Sequence, residues 1–407
     1  MEGNVAEAAC REEWDKVKDL VDRGGDVNIT YDIGRTALHH AANRSNVEMC
    51  KFLLDRGADV AARDEYGNMP IERAISSRDP TSLDVVRLLL TDVTVNAGND
   101  NGERPLHLAA RKQFVDLVQL LVDHDADTNV VDKDGYTPLH DANRFGGDDP
   151  AVSKILLKFE AKVDAANRNG DQPLHLACRN SKIKSARLLL SNGASARASN
   201  NDGKTPLHCA AGGSTLRSEF CDILLDRDAD IDVADEDGNQ PLHIACTHNK
   251  VEIAKSLISH GADVAAVNGQ NVSPFQLALP DFCIALYKAG LTSKQVEDIC
   301  KALYKAGDTS IQTQVVRRGL EVFTVQYDKL NCWVLSKIIA TAEKSFPGNL
   351  SKWIDMMDVD ELFVTALDGN QIETCKMLIE NGASVNGSDS CDIRPLTLAV
   401  RREQSIS

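Results

Sequence analysis

The stretch Asp134-Gly135-Tyr136-Thr137-Pro138-Leu139-His140 returns as Asp202-Gly203-Lys204-Thr205-Pro206-Leu207-His208 and as Asp237-Gly238-Asn239-Gln240-Pro241-Leu242-His243. Working outward from these copies, the turn slot falls at Gly34, Gly67, Gly102, Gly135, Gly170, Gly203, Gly238 and Asn271, at spacings that alternate between 33 and 35 residues. A period of this length describes a stack of small similar units, not a single globular enzyme core. Length in such a chain grows by adding units, so 407 residues do not require two or three ordinary domains.

The unit from Gly102 to Asp134 shows the local logic. Pro105 stands at the first turn of a helix, where a missing N–H costs nothing. Leu106, His107, Leu108, Ala109, Ala110 and Arg111 make that first helix short and small-faced, so a neighbour can pack close. A second helix is expected around residues 116–123, with Val115, Val118, Leu120, Leu121 and Val122 on its apolar positions. Asp132-Lys133-Asp134-Gly135 then reads as a tight turn in which glycine takes a positive φ angle. One such unit cannot bury its own apolar faces, whereas two flanking units can.

Together these motifs resemble the ankyrin repeat. The later His260-Gly261-Ala262-Asp263-Val264 fits the same pattern, and the match covers roughly residues 2–291 and, weakly, 358–403. The resemblance implies an all-α fold with short β-hairpin loops, an ankyrin repeat solenoid over 1–291. Residues 4–28 would be its opening helix pair, without the entry motif and with Val17, Leu20 and Val21 as the core stripe. Departures are Met69-Pro70-Ile71-Glu72, which lacks the histidine, and Asn271 in a glycine slot, which asparagine tolerates. Residues 292–357 read as a non-repeat helical segment, with an apolar stripe through Trp333, Val334, Ile338, Ile339 and Ala342. Residues 358–407 read as the incomplete start of a second ankyrin array. Arg394-Pro395-Leu396 begins a first helix that no second helix follows before Ser407, which predicts a fragment or shortened product of a longer protein; a frayed tail that pairs with nothing is the alternative.

Units starting at Gly67, Gly135 and Gly203 carry two extra residues between their helices, at 78–81, 147–150 and 213–216. Asp149-Pro150 in the second of these reads as an N-cap followed by proline in the first turn. The array is thus built from a 68-residue double unit. A duplication history accounts for this most simply; a row of longer loops touched by a partner is the functional alternative.

The net charge of -16 argues against nucleic acid, whose binding needs cations to displace counterions, and against anionic membrane surfaces. No run approaches the ~18 apolar residues of a spanning helix, so no membrane insertion is expected. The opening MEGNVAEAAC has no secretory pattern, which makes the cytoplasm the expected location. The 11 cysteines lack metal spacing; Cys178 and Cys246 take the small slot of Ala110, Cys209 replaces Leu108, and all three read as small buried hydrophobes in a reducing compartment.

No phosphate-binding glycine loop and no nucleophile elbow occurs. Carboxylates such as Asp235, Glu236 and Asp237 read as solvated turn formers, and no catalytic residue, cofactor or metal site is expected. Six histidines, His39, His107, His140, His175, His208 and His243, share one repeat slot. The resemblance implies that each hydrogen-bonds the neighbouring turn. First helices about 8–10 Å apart keep the rings from sharing an ion held at bonds of about 2 Å.

By the same resemblance, partners dock on the concave side, at hairpin tips and first-helix ends. The two positions after the small pair give a basic ladder of Arg44, Arg111, Lys112, Arg144 and Arg179, with Phe145 as an apolar anchor and Lys133 and Tyr136 among the variable tips. This predicts a non-catalytic scaffold or adaptor for an unidentified partner protein, one with an acidic or carboxylate-bearing segment that arginine forks grip. A regulatory or substrate-targeting region of a larger enzyme or membrane channel is the other expectation. Oligomeric state is not readable from the sequence.

Overall fold

The turns dictate where the helices start. In the computed structural model, which describes residues 4–77, 82–214 and 217–278 and the single residues 282, 286, 295 and 299, each turn from that of Gly67 onward is organised by one Asp or Asn, whereas the turn of Gly34 has Tyr31 in that place. Oδ1 of Asp64, Asn99, Asp132, Asn167, Asn200, Asp235 and Asn268 accepts from the backbone N–H groups two and four residues on. These side chains mimic a backbone turn. Turn carboxylates are expected to be solvated. Glu236 and Asp237 are exposed, but Asp235 is buried: its Oδ1 accepts two N–H groups of its own turn, while Oδ2 is buried without a hydrogen-bond partner. Asn271 adopts φ 60°, the conformation expected of the glycine it replaces.

Two helices follow each turn up to that of Gly238, and one described helix follows the turn of Asn271. The chain order is α1 (Val5–Cys10), α2 (Trp14–Asp22), α3 (Ala37–Asn43), α4 (Val47–Asp55), α5 (Pro70–Ser76), α6 (Ser82–Leu89), α7 (Pro105–Lys112), α8 (Val115–Val122), α9 (Pro138–Arg144), α10 (Ala151–Lys158), α11 (Pro173–Arg179), α12 (Ile183–Ser191), α13 (Pro206–Gly212), α14 (Glu219–Leu225), α15 (Pro241–Thr247), α16 (Val251–Ser259) and α17 (Pro274–Leu277). Proline opens the first helix of each unit from α5 onward, as its motif predicts. Among the described residues the expected β-hairpin loops contribute one isolated antiparallel bridge, Tyr31–Arg35.

The chain divides into two compact units, Met1–Thr215 with Asp226–Ala229 and Leu216–Leu225 with Asp230–Ser407. In the first, α1, α3, α5, α7, α9, α11 and α13 pack in one row, each against the next, and second helices line up behind them. Alanines at the contact (Ala41, Ala42, Ala109, Ala110, Ala177) are fully buried and let these helices approach closely. Leu38, Leu106, Leu139, Leu174 and Leu207 fill the same core slot, each worth about 1.5–3 kcal/mol of burial. Cys178 is buried in that row too. In the second unit α15 packs on α16 and α17, and α14 on α16, with Cys246 buried.

The turns themselves are tied tip to tip. In the first unit Glu65, Asp100, Lys133, Arg168 and Asn201 donate backbone N–H groups to Ile33, Tyr66, Asn101, Asp134 and Asn169, all at 2.9–3.1 Å. The longer loop at 147–150 is likewise anchored on both sides. Gln113 Nε2 donates to the carbonyls of Ala142 and Phe145 at 2.9 and 3.2 Å. From the following repeat, buried Lys182 donates its ammonium to the same two carbonyls. Asp148 caps α12 through Lys184 N at 3.0 Å. Asp149 accepts from Ala151 N at 3.0 Å, but the helix starts one residue later than expected: Pro150, not Asp149, is the N-cap of α10, and no side chain caps it. The extra residues of this loop thus have a structural task within the stack; residues 78–81 and 215–216 of the other two lie outside the described residues. The helical segment expected at 292–357, apart from helical Gln295 and Ile299, and the second array expected at 358–407 lie outside the described residues.

Gly135 and Gly57 separate backbone strain from crowding. Both have φ 81°, but a Cβ on Gly135 would sit 2.9 Å from Arg168 N, whereas Gly57 faces open space. Gly57→Ala should cost about 1–2 kcal/mol from the left-handed conformation alone. Gly135→Ala should cost clearly more and lower the melting temperature further. Equal shifts in thermal melts would show that the tip-to-tip contact carries no weight.

Candidate functional site

The face bearing the predicted ladder is built on the histidine slot. Nδ1 of His39, His107, His140, His175, His208 and His243 accepts from the backbone N–H three residues earlier, at 3.1–3.2 Å. Nδ1 is therefore unprotonated and the proton lies on Nε2. That atom donates to a carbonyl of the next turn: His39 to Asn68, His107 to Tyr136, His140 to Asp171, His175 to Lys204 and His243 to Val272, at 2.9–3.1 Å. Burial lowers the pKa of His39, His107 and His175 and takes that of His140 down to about 4, which keeps the rings neutral. Both ring nitrogens of these five are spent on backbone groups, so they hold the scaffold together and offer no metal ligand.

Glu72 occupies this slot in the second full unit. Oε2 accepts from Met69 N at 2.6 Å, reproducing the first histidine bond, while Oε1 is buried without a hydrogen-bond partner. Desolvation pushes the carboxyl up to about 7; the Met69 N–H, Arg63 and Arg73 oppose it and Asp64 adds to it. A protonated Glu72 is a donor and acceptor pair, as neutral histidine is. The sequence showed the missing histidine but not this substitute.

Around the histidines the expected basic ladder is present but largely consumed. Arg44 pairs with Glu12 at 2.6 Å. Arg111 holds Glu103 at 2.5 Å and Asp141 at 3.3 Å. Arg179 grips Asp171 through both terminal nitrogens, at 2.9 and 3.1 Å. Lys112 donates to the Ser76 carbonyl at 2.9 Å. Asp171 is buried, which alone would raise its pKa; Arg179 and Asn200 outweigh this and hold the carboxyl below its usual value. Buried Asp141, standing where Leu108 and Leu176 stand in other units, is pushed up to about 7 by desolvation, with Arg111 opposing.

Arg144 differs. It is exposed, no carboxylate among the described residues lies within ion-pairing distance, and its guanidinium sits 4.9 Å from the Tyr136 ring centre and 5.0 Å from that of Phe145. The Tyr136 ring meets His140 edge-on at 5.7 Å, and Phe145 also faces Arg111 at 5.2 Å. Lys133 is exposed on the adjoining tip. Thus the structure brings Tyr136, Arg144, Phe145 and Arg111 together, while Arg44 and Arg179 stand in other units, engaged with their own carboxylates.

Comparison with known proteins agrees with this geometry. The family description Ankyrin repeats (3 copies) matches residues 6–99, 81–164, 144–235 and 195–268, more than half the chain. The chain belongs to the ankyrin-repeat family, whose repeats are protein–protein interaction modules. It is 32% identical over 171 residues to the nuclear factor NF-kappa-B p105 subunit of Gallus gallus, a match covering 42% of this chain and 17% of that protein. It is also 32% identical over 163 residues to neurogenic locus notch homolog protein 1 of Homo sapiens, covering 40% of this chain and 6% of that protein. The matches thus span a small part of these relatives' lengths. Among the described residues no helix is long and apolar enough to cross a membrane.

Glu72→Gln tests the carboxyl reading. A pKa raised to about 7 from 4.5 means that the folded chain keeps a proton the unfolded chain releases, so this stabilisation is complete below about pH 4.5 and lost as pH rises through 7. The amide mimics the protonated acid. It should raise stability by about 1–3 kcal/mol at pH 8 and change little at pH 4.5 in thermal melts. Destabilisation at pH 8 would show an ionised, satisfied Glu72.

Proposed function

We propose that this chain is a non-catalytic scaffold or adaptor that holds a partner protein on the face made by the first-helix ends and hairpin tips. The observation that carries this reading is the division of labour in each repeat. Turn Asp or Asn, histidine, proline and alanine are spent on the stack, while the positions after them vary freely over Asn43-Arg44, Ser76-Ser77, Arg111-Lys112, Arg144-Phe145 and Arg179-Asn180. A fixed frame with variable side chains at regular positions is what partner discrimination requires. The charge of -16 favours a protein over a nucleic acid as that partner, and a cytoplasmic setting accords with the free buried thiols Cys50 and Cys221.

Lysines on opposite faces provide the test. Lys112 and Lys133 lie on the proposed face, whereas Lys154 and Lys184 are exposed on second helices α10 and α12. Amine-reactive crosslinking in cells, read by mass spectrometry, should join partner proteins to Lys112 and Lys133 and spare Lys154 and Lys184. The reverse pattern would move recognition to the second-helix face.

A further inference from the structure

The residue after the turn glycine decides whether the arginine at the end of the same unit's first helix is available. In the unit of Gly102 that residue is Glu103, and it takes Arg111 at 2.5 Å. In the unit of Gly170 it is Asp171, and it takes Arg179 at 2.9 Å. In the unit of Gly135 it is Tyr136, which cannot pair with a cation but offers a ring face, and Arg144 lies over it. One acid-to-tyrosine exchange therefore converts an internally neutralised arginine into an exposed one, held in place by aromatic contact.

The holder is fixed at both ends. Tyr136 closes the Asp132 turn, its carbonyl accepts from His107 Nε2 at 2.9 Å, and its ring abuts His140. Phe145 has its carbonyl gripped by Gln113 and Lys182 from the two neighbouring repeats. Stacking of this kind fixes the guanidinium plane while leaving its N–H edge free, so much of the ordering cost of binding is already met.

From this geometry we infer that Tyr136, Arg144 and Phe145 form a carboxylate clamp that receives an acidic side chain from a segment of the partner protein. This rests on the scaffold reading above and names the chemistry of its partner. Charge complementarity selects the occupant. The free edge of a guanidinium matches a carboxylate with two parallel hydrogen bonds. The surrounding chain carries a net charge of -16, which repels an extended polyanion but tolerates one acidic residue set beside an apolar one resting on Phe145. Burial of such a pair between rings is the setting in which arginine and tyrosine dominate binding energy.

The test uses the full-length chain and a phage-displayed library of linear peptides as probe, followed by the best synthetic peptide and its analogue with Asp and Glu replaced by Asn and Gln. Enriched peptides should carry an acidic residue beside an apolar one, and the amide analogue should bind at least about tenfold more weakly. Arg144→Glu should abolish binding and Arg144→Lys should keep only part of it. Tyr136→Glu, which supplies the carboxylate that Glu103 and Asp171 supply elsewhere, should silence Arg144 without removing it. Lys154→Glu, on the second-helix face, should bind as the parent does; circular dichroism and melting verify that every variant is folded. Several results overturn the inference: peptides without acidic enrichment, equal binding by Tyr136→Glu, or tighter binding of a single-stranded oligonucleotide of equal charge. If partner crosslinks to Lys112 and Lys133 survive Arg144→Glu unchanged, the clamp fails while the scaffold reading stands.

Discussion

The hydrogen bond from a histidine in one repeat to the turn carbonyl of the next is the constraint on which the architecture depends. It is repeated from His39 through His175 in the first unit and by His243 in the second. Each bond is worth only about 0.5–1.5 kcal/mol net, but it sets the spacing at which alanine and leucine faces meet. Without that register the apolar slots of adjacent first helices would not coincide. Stability therefore accumulates from neighbour to neighbour, and no residue in the repeats needs a distant partner.

That locality explains what the sequence discloses. Turn slots, prolines at the first helical position, the histidine row and the buried cysteines were all readable, because each repeats at a fixed period and is determined by nearby residues. Asn271 in a left-handed turn follows from the same local chemistry. What crosses between repeats was harder to read. The arginine row looked like an open basic surface until Glu103, Asp141 and Asp171 were placed against it. Arg111 and Asp141 are 30 residues apart and belong to different units, so neither position announces the pair. Asp235 sounded solvated because turn carboxylates usually are, yet its own turn encloses it. Lys182 gave no signal that its ammonium would end on two backbone carbonyls some 40 residues earlier.

Function in such a frame lies in the exceptions to the pattern. Glu72 in a histidine slot and Asp141 in a leucine slot each place a buried carboxyl where the repeat expects something else, at an electrostatic cost borne by neighbouring arginines. Tyr136 does the opposite, withholding a carboxylate so that Arg144 stays exposed between two rings. A comparison of equivalent slots would have found all three substitutions, but only the packed neighbours show what each one does.

The proton position on the repeat histidines is the most direct measure of the account. Nitrogen–proton correlation spectra at neutral pH should show His39, His107, His140, His175 and His243 as neutral rings protonated on Nε2, with slow exchange of those protons. Imidazolium signals, or protonation on Nδ1, would contradict a stack held in register by these bonds.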